Sequence, residues 1–240
     1  MAPFARSRRS ARTRSWPRRI LGWILKIVIG FVLLSLLMTL VYRFVPPPIT
    51  LTQLGEFAHG HSVTKDWMPL SRMDPDMARA AIAAEDGNFC SHHGFDFKAM
   101  QKAFEGNEAG KKLRGGSTIS QQTAKNVFLW QGRSYVRKGL EAWFTVLIEH
   151  LWGKRRIMEV YLNVAETGLH TYGANAGAQR YFNHDASQLS PVEAARIAAV
   201  LPQPQEREAI DPHGRVLHYG NRIFRRIGIV QRGGYDRCLR

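Results

Sequence analysis

The stretch ILGWILKIVIGFVLLSLLMTLVY, residues 20–42, constrains this chain more than any other, because it carries one charge in 23 residues. About 20 apolar residues are what an α-helix needs to cross the hydrocarbon of a bilayer. The one charge, Lys26, lies near enough to the start for its ammonium to reach the headgroups along its own stem. Trp23 and Tyr42 stand near the two ends, where the aromatic rings of membrane helices collect. Seven arginines precede the run, through Arg19, and no comparable cluster follows it, which predicts a cytoplasmic N-terminus. A cleaved signal peptide would share the basic head and apolar core. Here the core runs on into YRFVPPP without a small-x-small site, so an uncleaved anchor is expected. Pro46, Pro47 and Pro48 end the helix, since proline can neither donate nor pack within one. The expected division is a basic tail (1–19), an anchor (20–45), a linker (46–64) and an outer domain (65–240).

The net charge of +15, from 34 Lys and Arg against 19 Asp and Glu, first suggests nucleic acid. Nine of those basic residues lie in the first 45, which hold no acid, leaving 25 against 19 for the rest. With the bulk of the chain outside the cytoplasm, nucleic acid drops out as a partner. The residual excess suits anionic headgroups and phosphates. Cys90 and Cys238 are too few for a disulfide framework or a thiolate zinc site. A single bridge between them remains open in an oxidising compartment, and their separation in sequence does not decide it.

The outer domain reads as mainly α-helical. In DPDMARAAIAAE, Asp74 is a candidate N-cap with Pro75 at the first helical position. SPVEAARIAAVLP is more complete: Ser190 and Glu193 have capping-box spacing around Pro191, and Pro202 stops the helix. RKGLEAWFTVLIEHLW and KRRIMEVYLNVAE are two further helices parted at Gly153, the second with Ile157, Val160, Tyr161 and Val164 at the helical period. Strand alternation is not evident, and segments 106–116 and 168–177 read as loops.

Three stretches carry candidate chemistry. The alanine-rich helix ends in Glu85 and Asp86, although a helix C-terminus mildly disfavours acids. They are either a solvated helix end or carboxylates presented to a cleft for acid–base work. In LRGGSTISQQTAKN, Gly115 and Gly116 permit close backbone approach, and Thr118 and Gln121 have capping-box spacing. Thr118, Gln121, Gln122 and Lys125 fall on one helical face. Those are the parts of an anion site, without Walker A spacing, and the two glutamines also suit a neutral ligand such as a sugar. Glu141 shares a face with Arg137 and Lys138, either as a surface ion-pair cluster or as a second carboxylate beside a phosphate. His59 and His61 could ligate a metal, but no third ligand matches them in sequence, and no metal site is expected.

EDGNFCSHHG resembles the first motif, Glu-Asp-x-x-Phe-x-x-His-x-Gly, of the peptidoglycan glycosyltransferases, glycosyltransferase family 51. GGSTISQQTAKN is similar to the second motif, RKGLE to the third and KRRIMEVYLNVAETG to the fourth. GAQRYF with LSPVEAARIAAVLPQP resembles the fifth region, so the five cover most of residues 65–205 in order. The loop ETGLHTYGANAGAQ departs most from the pattern.

The resemblance implies an all-α, lysozyme-like domain on an inner-membrane anchor, facing the bacterial periplasm. The implied substrates are lipid II and the growing lipid-linked glycan, with the membrane and cell-wall or division proteins as partners. Glu85 takes the place of the general base, and Glu141 that of the second acid. Ser117, Thr118, Gln121 and Gln122 would line the cleft, and Lys125, Arg133, Arg137, Lys138 and Lys102 would neutralise the pyrophosphate. Asp86, Phe89, His92 and Asn126 would hold the site in place. No tightly bound cofactor is implied; a divalent cation, Mg or Mn, is the candidate companion of the pyrophosphate. Sensitivity to moenomycin follows, because that antibiotic mimics the donor.

Three other readings are weaker. A lytic enzyme of the same fold would use glutamate as an acid, and the basic stripe favours a pyrophosphate leaving group instead. SVTK at 62–65 matches Ser-x-x-Lys of penicillin-binding transpeptidases, but no Lys-Thr-Gly follows. An inactive scaffold would have no use for the retained carboxylates and cations.

Overall fold

The computed structural model describes residues 16–108, 116–132 and 134–240, with backbone alone at Pro17 and 106–108. Two compact units result, one ending at Met38 and the other running from Thr39 to Arg240. Helix α1, Trp16–Phe44, begins in the first and ends in the second. Within its segment Arg18–Phe44 an 18-residue window has a mean hydropathy of 2.7, and the segment is long and apolar enough to cross a membrane. It stops just before Pro46, as proline chemistry requires. Arg156 donates to the carbonyls of Tyr42 at 2.9 Å and Val45 at 3.0 Å, satisfying acceptors that the last turn leaves open.

Within the second unit, α2 (Leu51–Ala58) leads through β1 (Thr64–Lys65) to α3 (Pro75–Glu85), α4 (Phe97–Glu108) and α5 (Ile119–Phe128). Helices α6 (Tyr135–Leu151) and α7 (Lys154–Val164) follow, then β2 (Glu166–Gly168), β3 (Thr171–Tyr172) and α8 (Ala174–Phe182). The chain closes with α9 (Pro191–Val200), α10 (Gly214–Arg232) and a short 3-10 turn at Arg237–Leu239. Helices α3, α9 and α10 pack on one another, and α5 packs on α6 and α7.

The alanines of α3 now have a cause. Ala80, Ala81, Ile82 and Ala83 are all buried, so this turn of the helix is enclosed on every side, and its partner α9 buries Ala194, Ala195, Ala198 and Ala199. Alanine forms helix at the lowest cost and lets backbones approach closely. Ile82, Ile197 and Ile223, one on each of these helices, are fully buried, each contributing about 1.5–3 kcal/mol by leaving water. Asp74 caps α3 by accepting from Asp76 N at 2.8 Å, and Ser190 with Glu193 closes the capping box of α9, as their spacing predicts.

The two loop expectations need correcting, since α4 runs through Glu108 and so takes in 106–108. Segment 168–177 is not simply a loop: it contains β3 and the start of α8, and β1, β3 and β2 form a small sheet in that order. β1 pairs parallel to β3, and β2 pairs antiparallel to it with an irregular register at Glu166 and Gly168. Strands of two or three residues are too short to show alternation. Gly173 makes the turn into α8 possible: its φ is +94°, and a Cβ there would lie 3.0 Å from the carbonyl oxygen of Asn163. The linker also holds structure of its own, since Thr50 and Gln53 form a complete capping box at the start of α2.

Candidate active site

The site forms where the C-terminus of α3 meets the N-terminus of α5. Glu85 is the last residue of α3 and Asp86 its C-cap, so the helix end carries two adjacent carboxylates. Their side chains go to different partners on α5. Gln122 Nε2 donates to Glu85 Oε2 at 2.9 Å, and the backbone N–H of Ile119 donates to Asp86 Oδ2 at 3.0 Å. Ile119 is the first residue of α5, so Asp86 sits on the positive end of that helix, which offsets its poor position at the end of α3.

Behind this junction the packing is polar and closed. His92 Nε2 lies 3.0 Å from both oxygens of Asp86; the carboxylate accepts, so Nε2 carries the hydrogen. The hydroxyl of Thr118 donates to the carbonyl of Gly94 at 2.6 Å, joining the first-motif loop to the helix start. Gly94 has φ +90°, and a Cβ there would meet Thr145 Cγ2 at 2.8 Å. Phe89 is fully buried, with the ammonium of Lys154 4.6 Å above its ring.

Burial, before any other influence, pushes the Glu85 carboxyl above the ordinary glutamate range. The Gln122 hydrogen bond, Arg207 and Lys125 act the other way, and Asp86 adds to the rise. Lys125 is pushed down, first by burial, then by the neighbouring Arg137 and Lys138; Glu141 and Glu85 oppose that. Lys125 is thus within electrostatic reach of both carboxylates and both cations of α6.

Glu141 is buried, and both of its oxygens are occupied. Arg137 Nη1 donates to Oε2 at 2.9 Å, and Lys138 Nζ donates to Oε1. Of the two cations, Arg137 is largely buried and Lys138 is about half exposed. The pair is therefore a fixed cationic patch with its counter-charge underneath.

The structure gives the remaining residues different situations. Thr118 and Gln121 are buried and close the capping box of α5 with each other, so they frame the site from behind. Ser117 is exposed just ahead of that cap, and Asn126 is half-buried on α5. Lys102 is exposed on α4, whose backbone at Met100 comes within 3.3 Å of a Cβ placed on Gly116. It makes no ion pair among the described residues. Arg133 and Gly115 lie outside the described residues.

Several neighbours of Glu85 were not foreseen. Tyr219 of α10 donates its hydroxyl to the carbonyl of Ala84 at 3.0 Å, and its own pKa is pushed up to about 12, mainly by burial and then by Glu85. Arg207 reaches the same region from the loop before α10, held by the Ala199 carbonyl at 2.8 Å and Gln203 at 2.9 Å. Tyr161 is fully buried, and its hydroxyl has no partner among the described residues. Nothing in LPQPQEREAI marks Arg207, but Ile223, Ile227 and Val230 in α10 do follow the helical period and could have revealed that helix. Cys90 and Cys238 are joined in a disulfide, with Cα atoms 5.4 Å apart, tying the first-motif loop to the segment after α10.

A family model described as Transglycosylase matches residues 51–227. The chain is similar to a biosynthetic peptidoglycan transglycosylase of Caulobacter vibrioides, 54% identical over 200 residues, which cover 83% of this chain and 87% of the relative. It is also similar to one of Xanthomonas campestris pv. campestris, 46% identical over 231 residues, covering 93% and 91% of the two chains. A third, of Chromohalobacter salexigens, is 47% identical over 221 residues, covering 90% and 94%. With a matching family model over most of its length and relatives near half identity, the chain belongs to the transglycosylase family.

Proposed function

We propose that this chain is a peptidoglycan glycosyltransferase that polymerises lipid II into β-1,4-linked glycan, inverting the donor and releasing undecaprenyl pyrophosphate. One observation carries the reading: Glu85, held by Gln122 Nε2 at 2.9 Å, is within electrostatic reach of Lys125 on the same helix as Gln122, and Lys125 in turn of Arg137 and Lys138. A base poised above the usual glutamate range and a fixed cationic cradle are what this displacement needs from a protein.

In the proposed step, the 4-hydroxyl oxygen of the acceptor sugar bonds to the anomeric carbon of the lipid-linked donor, and its proton passes to Glu85. The bond from that carbon to the pyrophosphate oxygen breaks, and the electron pair leaves on the pyrophosphate. Lys125, Arg137 and Lys138 stabilise the new charge, with Arg133 and Lys102 as further candidates from the sequence. Gln122 orients the base, and Asp86, Phe89, His92 and Asn126 support it. Ser117, exposed ahead of α5, would meet the sugar or phosphate. Because both oxygens of Glu141 are already taken by cations, a divalent ion would have to displace one of them. No step is routed through such an ion; Glu141 acts by holding the cations that meet the leaving group.

A lipid-linked substrate suits the apolar helix α1 and the exposed Phe97, Phe104, Trp130 and Tyr135, which flank the site's outer elements. The arginine-rich start supports a cytoplasmic N-terminus and a periplasmic domain in the bacterial inner membrane. The Cys90–Cys238 disulfide agrees with an oxidising compartment. So placed, the enzyme would work beside cell-wall and division proteins.

The test is polymerisation of labelled lipid II by the detergent-solubilised chain, with moenomycin as inhibitor. Long glycan, blocked by the drug, is the expected result. Shortening of preformed glycan would make the enzyme lytic, and no reaction where another polymerase works would overturn the proposal.

A further inference from the structure

A second constellation of reactive groups lies on the small sheet and owes nothing to the catalytic motifs. Glu56, near the end of α2, places Oε2 2.8 Å from Nδ1 of His61 and 2.9 Å from Nδ1 of His170. The rings of His61 and His170 are 4.2 Å apart between centroids. One ligand-type atom from each of the three residues lies within 4.8 Å of the others.

The fold builds this meeting. The backbone N–H of Thr64 donates to the carbonyl of His170 at 2.9 Å, which registers β1 on β3 and brings the His61 segment against the hairpin. His170 sits at the tip of that hairpin with φ +53°, and its N–H is 3.3 Å from a carboxylate oxygen of Glu166. Its Nδ1 is buried and, despite its closeness to Glu56, makes no hydrogen bond. A buried imidazole nitrogen left without a hydrogen bond beside a carboxylate has a lone pair to offer an ion.

We propose that Glu56, His61 and His170 form a binding site for one divalent transition-metal ion, zinc being the ion their chemistry favours. Two imidazoles and one carboxylate are a recurrent zinc set, with water completing a tetrahedron. Imidazole nitrogen selects zinc and its transition-metal neighbours over magnesium or calcium. Bonds of about 2.0–2.1 Å place tetrahedral ligand atoms about 3.3 Å apart, so the groups need to separate by a few tenths of an ångström. On binding, each histidine gives the ion a nitrogen lone pair, and any proton carried on that nitrogen leaves to solvent. The exposed side of His61 leaves an entry path. The ion would fasten α2 to the β2–β3 hairpin, and its occupancy does not depend on the transferase reading.

The experiment uses the full, tag-free chain in detergent after chelator treatment, titrated with Co²⁺ and then Zn²⁺. Expected are visible absorption bands of tetrahedral intensity at one Co²⁺ per chain, their loss as Zn²⁺ displaces it, and a Zn²⁺-dependent rise in melting temperature. His61→Ala removes an exposed ligand, and His170→Asn keeps a residue tolerant of the left-handed conformation; each should weaken binding at least tenfold. His150→Ala, at an exposed histidine outside the cluster, should leave it unchanged. Absence of tetrahedral bands in the unaltered chain, or equal affinity in His61→Ala, would overturn the proposal.

Discussion

Gln122 donates to Glu85 across 2.9 Å, joining the second helix of the site to the last residue of the first. The bond holds the carboxylate in one orientation and favours its charged form, while burial favours the neutral one. Burial wins, so the group is a stronger base than an exposed glutamate. Glu85→Gln should lower polymerisation by about 10²–10⁴-fold, the usual contribution of a general base. The same change should raise the melting temperature at neutral pH. A carboxyl whose folded pKa is raised makes the folded state lose stability as pH rises through that range, and the amide escapes this. Full activity in the variant would move the base elsewhere.

Gln122→Leu takes away the main influence that lowers the Glu85 pKa. The carboxyl should rise further, and the acid limb of the kcat/KM profile should move to higher pH. Rate measurements from acid to alkaline pH check this. An unshifted limb with a uniformly lower rate would make Gln122 a substrate contact only.

Asp86→Ala would leave the N–H of Ile119 and Nε2 of His92 without their acceptor. Each buried polar group so exposed to vacancy costs about 1–3 kcal/mol. Thermal unfolding should show the loss, and activity should fall with it because the start of α5 is no longer fixed to the end of α3.

The two cations on Glu141 should prove unequal. Arg137 is largely buried, so Arg137→Ala should cost about 1.5–3 kcal/mol, the range for hydrogen bonds to charged groups. Lys138 is about half exposed, so Lys138→Ala should cost under about 1 kcal/mol while still lowering turnover. Denaturant melts beside initial rates separate the two roles.

What the sequence revealed and what it hid follow from distance along the chain. Capping boxes at Thr118–Gln121 and Ser190–Glu193 span three residues, so their chemistry is visible in a short string. The bond from Gln122 to Glu85 spans 37 residues and that from Ile119 to Asp86 spans 33, and no local pattern marks either. The motifs disclosed the carboxylates through resemblance, but not that Asp86 would serve the start of another helix. Arg207 comes from a proline-rich loop without periodicity, and His170 meets His61 only because β1 and β3 pair. Strands of two residues leave nothing for alternation to act on.

Reducing the Cys90–Cys238 bridge should lower stability by about 2–4 kcal/mol, since it closes a long loop across 148 positions. A melting temperature that falls with reductant in the unaltered chain, and stays constant in Cys90→Ser, Cys238→Ser, is the expected pattern.

The hydroxyl of Tyr219 rests on the carbonyl of Ala84, 135 positions earlier. A ribosome adding about 5–20 residues per second takes roughly 7–27 s to make that interval. Throughout that time α3 has been synthesised but lacks α10, one of the helices that bury its end. The raised pKa, and with it the base, is therefore acquired late in the life of the nascent chain, after the anchor has already been made.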